Sequence, residues 1–316
     1  MEPKEKKCTI LVCSSDGYED AWYPFFKLFT VYWSKCSYKI ILNTESKVYN
    51  YEGVDIQCYQ FYKKAEKPAY GERMIRHLQR INTPYTLILM DDFFLRRPVD
   101  EDKIDQVIQW LDKDENAVVF SFQNVKDKLN IRSEKYPQYL KRPVYGEYKF
   151  NFQAAVWKTE KLLKFWKKHE TPWEWETIGN IRSFDEKLDF YVLEGANNSP
   201  IDYGFDEKGM GIFRGKWVID TVKELFENHD IYVDYSVRGI YTKEDKNKVR
   251  MVTQNGGKKK KKRFLKSVGI KKFIEIELWR VIRFLKKSKG QTVAKDYIEY
   301  KREKESSKKE RRKYNV

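Results

Sequence analysis

Residues Leu87–Pro98 read LILMDDFFLRRP: an apolar, β-prone run stops at two adjacent carboxylates, Asp91 and Asp92, then resumes with two phenylalanines, two arginines and a proline. Carboxylates set against apolar residues lose hydration and repel each other, so such a pair persists either as a solvated turn or around a cation. Outward from it, short apolar runs alternate with amphipathic ones. CTILVCSS precedes AWYPFFKLFTVYW; YKIILNTE and VDIQCYQF precede GERMIRHLQRI; YTLILMDD precedes DKIDQVIQWLDKD; AVVFSF follows. Strands separated by helices of crossover length predict an α/β sandwich with a mostly parallel central sheet.

Further along, KFNFQAAVW reads as a strand running into the helix TEKLLKFWKKH. TPWEWETIGNIRSFDEKL opens another helix, with Thr171 as N-cap and Pro172 in its first position. FYVLEGA, the glycine-bearing GMGIFRGKW, the helical VIDTVKELFENH and a strand-like IYVDYSVRGIY complete the first part.

The chain has 316 residues, 41% hydrophobic and 16% aromatic, which excludes a disordered protein and provides material for a large core. Its formal net charge is +16, yet residues 253–316 hold 23 Lys+Arg against 7 Asp+Glu, leaving 1–252 balanced at 40 of each. Any anionic surface is therefore met by the tail. Within it Ile270, Phe273, Ile274, Leu278, Val281, Phe284 and Leu285 form one helical arc, with Lys272, Arg280, Arg283 and Lys287 on the other. Two domains follow: 1–252, the α/β part, and 253–316, a basic amphipathic C-terminal helix.

That tail suits adsorption to an anionic membrane leaflet, where each basic side chain contributes about 1 kcal/mol and the apolar arc sinks into the interface. Its aromatic residues lie on the apolar arc and are not interleaved with the basic ones, unlike stacking platforms for nucleic acid. Packing of the arc on the α/β part or on a second subunit is the alternative. Cys8, Cys13, Cys36 and Cys58 show no CxxC spacing and read as reduced thiols. The charged start MEPKEKK and the lack of an uncharged stretch near ~20 residues predict no signal peptide or membrane span, hence a cytoplasmic protein peripheral on the inner membrane face. His77, His169 and His229 have no metal-ligand spacing and read as surface or helix-end residues.

Ligands of open parallel sheets bind beyond the carboxyl ends of the strands, where Ser14-Ser15-Asp16 and Asp91-Asp92 both fall. Neither GxGxxG nor GxxxxGK[ST] occurs, which argues against a dinucleotide fingerprint and a P-loop. CSSDGYEDAWYPFFKLFTVYW, YKIILNTE, YTLILMDDFFL, FNFQAAVW, TPWEWE and FRGKW, collinear over about residues 8–240, resemble bacterial GT-A-fold glycosyltransferases of cell-surface polysaccharide assembly. The resemblance implies a GT-A-like (Rossmann-like) α/β/α sandwich. It also implies transfer of a sugar from a nucleotide-diphosphate sugar to a hydroxyl of a glycan or lipid-linked acceptor.

A departing diphosphate needs neutralisation, which a divalent cation (Mn or Mg) held by Asp91 and Asp92 supplies. A DxD pattern would place an acid at position 90, where this chain has Met90. By resemblance Asp16 lies near the base or ribose with Ser14 or Ser15. Arg73 reaches the diphosphate or base, or else is a surface arginine. Arg214 and Lys216 flank Gly215 and clamp the diphosphate, or are solvated loop charges. Single displacement needs a base, and Glu174 and Glu176 in TPWEWE are the candidates, with a Trp stacking on a sugar face. On a helix the two point about 200° apart, so only one serves; Glu176 is favoured, and helix N-terminal acids are the plain alternative. A visible base without a nucleophile pair implies inversion. The other function classes are a nucleic-acid-binding protein using the tail and a catalytically inactive partner subunit of the same fold.

Overall fold

The computed structural model describes residues 6–245 except 65, 124–129, 144–145, 184–185, 205–208 and 243. The predicted C-terminal helix lies outside the described residues. Nine strands form one sheet in the order β3-β2-β1-β4-β8-β5-β9-β7-β6. These are β1 (Cys8–Cys13), β2 (Lys39–Asn43), β3 (Ile56–Cys58), β4 (Tyr85–Met90), β5 (Ala117–Ser121), β6 (Ile131–Arg132), β7 (Tyr139–Lys141), β8 (Ala155–Lys158) and β9 (Asp189–Leu193). β1 pairs in parallel with β2 and β4, β2 with β3, and β5 with β9, whereas β8 runs antiparallel between β4 and β5 and β7 antiparallel to β9. The expected mostly parallel sheet is present.

Burial on both faces explains why CTILVC and YTLILM are near-continuous apolar runs. Alternate residues face opposite layers. Ile10, Val12, Leu87 and Leu89 join one core with α1 (Glu19–Tyr32), α3 (Glu101–Lys113) and α7 (Ile219–Glu227); Leu11, Cys13 and Ile88 join the other with α2 (Tyr70–Leu78) and α4 (Thr159–Phe165). Asp100 caps α3 by accepting from the Lys103 amide, and Thr171 caps the turn α5 (Pro172–Glu174). Gly71 is required where α2 meets the end of α4: a Cβ there would stand 2.1 Å from the Lys167 carbonyl oxygen. The Gly71 amide instead donates to the Glu170 carbonyl.

Three expectations are corrected. TPWEWETIGNIR is not one regular helix: α5 runs into a π-helical turn, Trp175–Gly179, and then α6 (Asn180–Arg182). The cause is Trp175, fully buried and stacked on Trp166 with centroids 4.7 Å apart, within a ring cluster including Phe150, Phe152 and Trp157. Burying such a ring contributes on the order of 2 kcal/mol, enough to override local helix geometry. IYVDYSVRGIY forms turns, with an isolated bridge from Ile240 to Trp217. His77 is no surface residue: it is fully buried, its Nδ1 3.0 Å from the Arg73 carbonyl, and burial lowers its pKa to about 4. Cys8 and Cys13 are buried free thiols, while Cys36 and Cys58 are half-buried and also free.

Candidate active site

The β1–β4 register aligns Cys13 with Met90, so Ser14 and Asp91 leave the sheet side by side. The Ser14 hydroxyl donates to Asp91 Oδ2 and accepts from Trp22 Nε1 at 2.7 Å. Asp91 is 2% exposed and Asp92 8%. Burial, then the charge of Asp92, pushes the Asp91 carboxyl well above the usual carboxylate range. Burial raises Asp92 to about 7. Asp92 Oδ1 is buried and has no hydrogen-bond partner among the described residues, so the pair is no solvated turn.

The cation facing this pair is one the sequence reading did not select. Arg238 Nε donates to Asp20 Oδ2 at 2.7 Å and Nη2 donates to Asp20 Oδ1. Nη2 also donates to the Gly17 carbonyl at 3.1 Å, and Nη1 to that of Gly215 at 3.4 Å. The guanidinium lies 4.6 Å from the Tyr18 ring centroid and 5.7 Å from that of Trp217. Its charge favours ionisation of both Asp91 and Asp92. The available signal was the Arg-Gly dipeptide: Arg238-Gly239 repeats Arg214-Gly215, and both glycines have positive φ.

Several predicted site residues take other positions. Asp16 accepts from the amides of Glu45, Ser46 and Lys47 and from the Ser46 hydroxyl, pinning the turn after β1 to the loop after β2. Burial opposes its charge, but the Ser46 hydroxyl and those amides more than offset this and lower its pKa. Its oxygens are taken up by that turn. Ser15 precedes the short turn Asp16–Tyr18 without a side-chain cap bond. Arg73 is 4% exposed, corrects the surface alternative, and braces the site from below: Nη1 donates to the Ser14 carbonyl at 2.9 Å and pairs with Glu45 at 2.6 Å. Arg214 is exposed at the turn of the hairpin β10 (Ile212–Phe213) and β11 (Lys216–Trp217), and Lys216 pairs with Asp245 at 2.9 Å. Both positions fit the loop-charge alternative.

Glu174 takes the helix-start position of its plain alternative. Its carboxylate accepts from the Thr171 amide and hydroxyl, each at 3.0 Å, closing a capping box. Glu174→Ala is expected to cost about 1 kcal/mol of stability and to leave catalytic turnover unchanged, as urea unfolding and an activity assay would measure. Glu176 instead points inward, accepting from the Phe152 amide at 3.3 Å, and burial raises it to about 7. Phe152 precedes β8, whose Ala155 pairs with Ile88, so it lies toward the end of β4 that carries Asp91. Tyr203 ties the two: its hydroxyl accepts from the Ala154 amide at 2.8 Å, and its ring packs on Phe93 at 4.9 Å. Trp175 is core and cannot stack on a sugar; Trp173, 73% exposed, is the ring available for that.

In fold, this chain is similar to glycosyltransferase structures. S. aureus TarS 1-349 matches at 6% identity and a TM-score of 0.38 over 60% of each chain. The longer S. aureus TarS structure matches at 7% and 0.39, over 60% of this chain but 37% of its own. The mannosyltransferase PcManGT from Pyrobaculum calidifontis, in complex with GDP-Man and Mn2+, matches at 9% and 0.38 over 60% of this chain and 54% of its own. This chain thus spans between 37% and 60% of the length of these structures, less than two thirds in each case. In sequence it matches no family model and no curated protein. Superpositions this loose carry no residue-by-residue correspondence, so the site rests on its own chemistry.

Among the described residues no group of three or more His, Cys, Asp or Glu could hold a metal ion. Two carboxylates suffice for a hard cation that also keeps water and phosphate ligands. The orphaned, buried Asp92 Oδ1 fits that use. A groove of about 730 Å³ lies at the opposite end of β4 among Thr83, Pro84, Tyr85, Lys158 and Thr159, away from these groups.

Proposed function

We propose that this chain is a nucleotide-sugar-dependent glycosyltransferase that inverts the anomeric centre. One observation carries the reading. Toward one end of the sheet, a buried acidic pair with an orphaned oxygen faces an arginine, while a separate, half-buried carboxylate, raised to about 7, stands beside Phe152 of the neighbouring layer. The first group suits a diphosphate and its cation; the second suits proton removal from an incoming hydroxyl.

Arg238 draws the leaving diphosphate toward Asp91 and Asp92. A divalent cation, when bound there, would be held by those two carboxylates and neutralise the departing charge. Ser14 and Trp22 fix the Asp91 rotamer, so the pair costs little reorganisation on binding. Glu176 accepts the acceptor's hydroxyl proton, and Trp173 offers a face to an acceptor sugar. The acceptor is a glycan or lipid-linked glycan of surface polysaccharide synthesis. No helix among the described residues is long and apolar enough to cross a membrane, and the basic residues of 253–316 supply the attraction to an anionic leaflet.

The test is thermal denaturation with a panel of nucleoside diphosphates and their sugars, with and without Mg2+ or Mn2+. At a hundredfold excess over Kd, one nucleotide class should stabilise the protein by about 2.7 kcal/mol, on the order of 5 °C. Asp92→Ala should lose the metal-dependent part of that shift. Absence of any nucleotide shift in the wild type would overturn the reading.

A further inference from the structure

The charge balance of residues 1–252 hides a local surplus. Residues 59–80 contain six Lys/Arg against Glu66 and Glu72. Arg76 and Arg80 are exposed, four residues apart at the end of α2, and lie over rings of the preceding loop. The Arg76 guanidinium is 5.9 Å and that of Arg80 5.5 Å from the Phe61 centroid, and Arg80 is 5.6 Å from that of Tyr59. Tyr59 and Phe61 stack on each other at 5.6 Å. The buried, neutral His77 supports Phe61 from beneath at 5.0 Å, fixing the rings in place. Glu72 engages Arg76 from one side at 3.3 Å, and the guanidinium remains 47% exposed.

A second basic pair adjoins this one. The segment Lys167–Glu170 packs on the first turn of α2 through the contact at Gly71. Lys167 and Lys168 on it are exposed, with no salt bridge among the described residues. Three residues after this segment comes the exposed Trp173, and then Glu176, in the same layer of the sandwich.

We infer that the α2–α4 face is the track for an anionic glycan acceptor, whose phosphates or carboxylates pair with Arg76, Arg80, Lys167 and Lys168, the two arginines being held in place by Tyr59 and Phe61. A guanidinium laid over a ring is preorganised and still offers its in-plane donors to a phosphate or carboxylate. A lipid interface takes up aromatic rings that are free to insert, whereas these are capped by the two guanidinium groups. The acceptor role rests on the glycosyltransferase reading; the anionic track itself is tested separately.

The experiment measures binding of the full chain, over a series of salt concentrations, to poly(glycerol phosphate), to a hyaluronan oligosaccharide, to neutral dextran and to phosphatidylglycerol vesicles. Wild type is compared with Arg76→Ala/Arg80→Ala, with Lys167→Ser/Lys168→Ser and with the combination. The tail is the same in all, so differences belong to the face. The combined variant should bind at least one of the two anionic glycans about tenfold more weakly with a shallower salt dependence, each double variant giving part of the loss, and dextran should bind to none. Arg76→Lys/Arg80→Lys, which keeps the charge and alters the stacking, should lose a smaller part. Unchanged binding of both anionic glycans in all variants would overturn the inference, as would a loss confined to vesicles, which would make the face a membrane surface. The nucleotide thermal shift read on the same proteins reports the donor site, so failure of the track and failure of the enzyme reading give different results.

Discussion

Glu176→Gln should lower sugar transfer by about 10³-fold while nucleotide binding stays at the wild-type level. The carboxylate is removed from water by Phe152 and its neighbours and keeps one amide donor, so burial raises it to about 7. Glutamine keeps the shape and the acceptor oxygen but takes no proton. In the wild type, kcat should climb with pH through about 7 as the base ionises. In the variant that limb should be absent.

Stability gives a second readout with the opposite sense. A carboxyl raised from 4.5 to about 7 on folding favours the fold while protonated, and that contribution is lost as pH rises through the folded value. At pH 8 the buried charge therefore costs about 2–3 kcal/mol, which Glu176→Gln removes. The variant should be more stable than wild type in urea at pH 8 and no different near pH 4. A wild-type rate in Glu176→Gln would sink the base assignment. A lost rate without the stability gain would show that the carboxylate is not held as the structure holds it.

The sheet was legible because its strands are buried on both faces, which writes them as unbroken apolar runs such as CTILVC and YTLILM. The acidic pair was legible for the same reason: nothing else interrupts β4 and Phe93-Phe94. What could not be read is where a side chain spends its hydrogen bonds. Glu174 and Glu176 are alike in sequence, yet one closes a cap and the other enters the protein, because the π turn that seats Trp175 sets their directions. Asp16 sits at the expected turn and Arg73 on the expected helix, but their polar atoms are spent within the fold. His77 follows a helical pattern that a single sequence shows equally for a surface residue. Arg238 was missed because it lies more than 140 residues beyond Asp92 in a segment whose β-like composition masked a turn.

Arg238→Ala should reduce kcat/KM by about 10²–10³-fold, through the loss of a preorganised cation where negative charge develops. The guanidinium side chain is 8% exposed and bound to Asp20 by two of its nitrogens, so its removal also leaves Asp20 unpaired and costs about 3 kcal/mol of stability. Arg238→Lys should restore little, since an ammonium cannot make both Asp20 contacts while spanning the Gly17 and Gly215 carbonyls. Asp20→Asn separates the two effects: the guanidinium stays but is no longer aimed, so donor KM should rise while the unfolding penalty is smaller. Added Mg2+ should recover part of the activity of Arg238→Ala, because a divalent ion at Asp91 and Asp92 answers the same need for positive charge. If Arg238→Ala keeps its kcat/KM and loses only stability, the residue is a strut between the turn after β1 and the β10–β11 hairpin, and the acidic pair must meet the diphosphate with the metal alone.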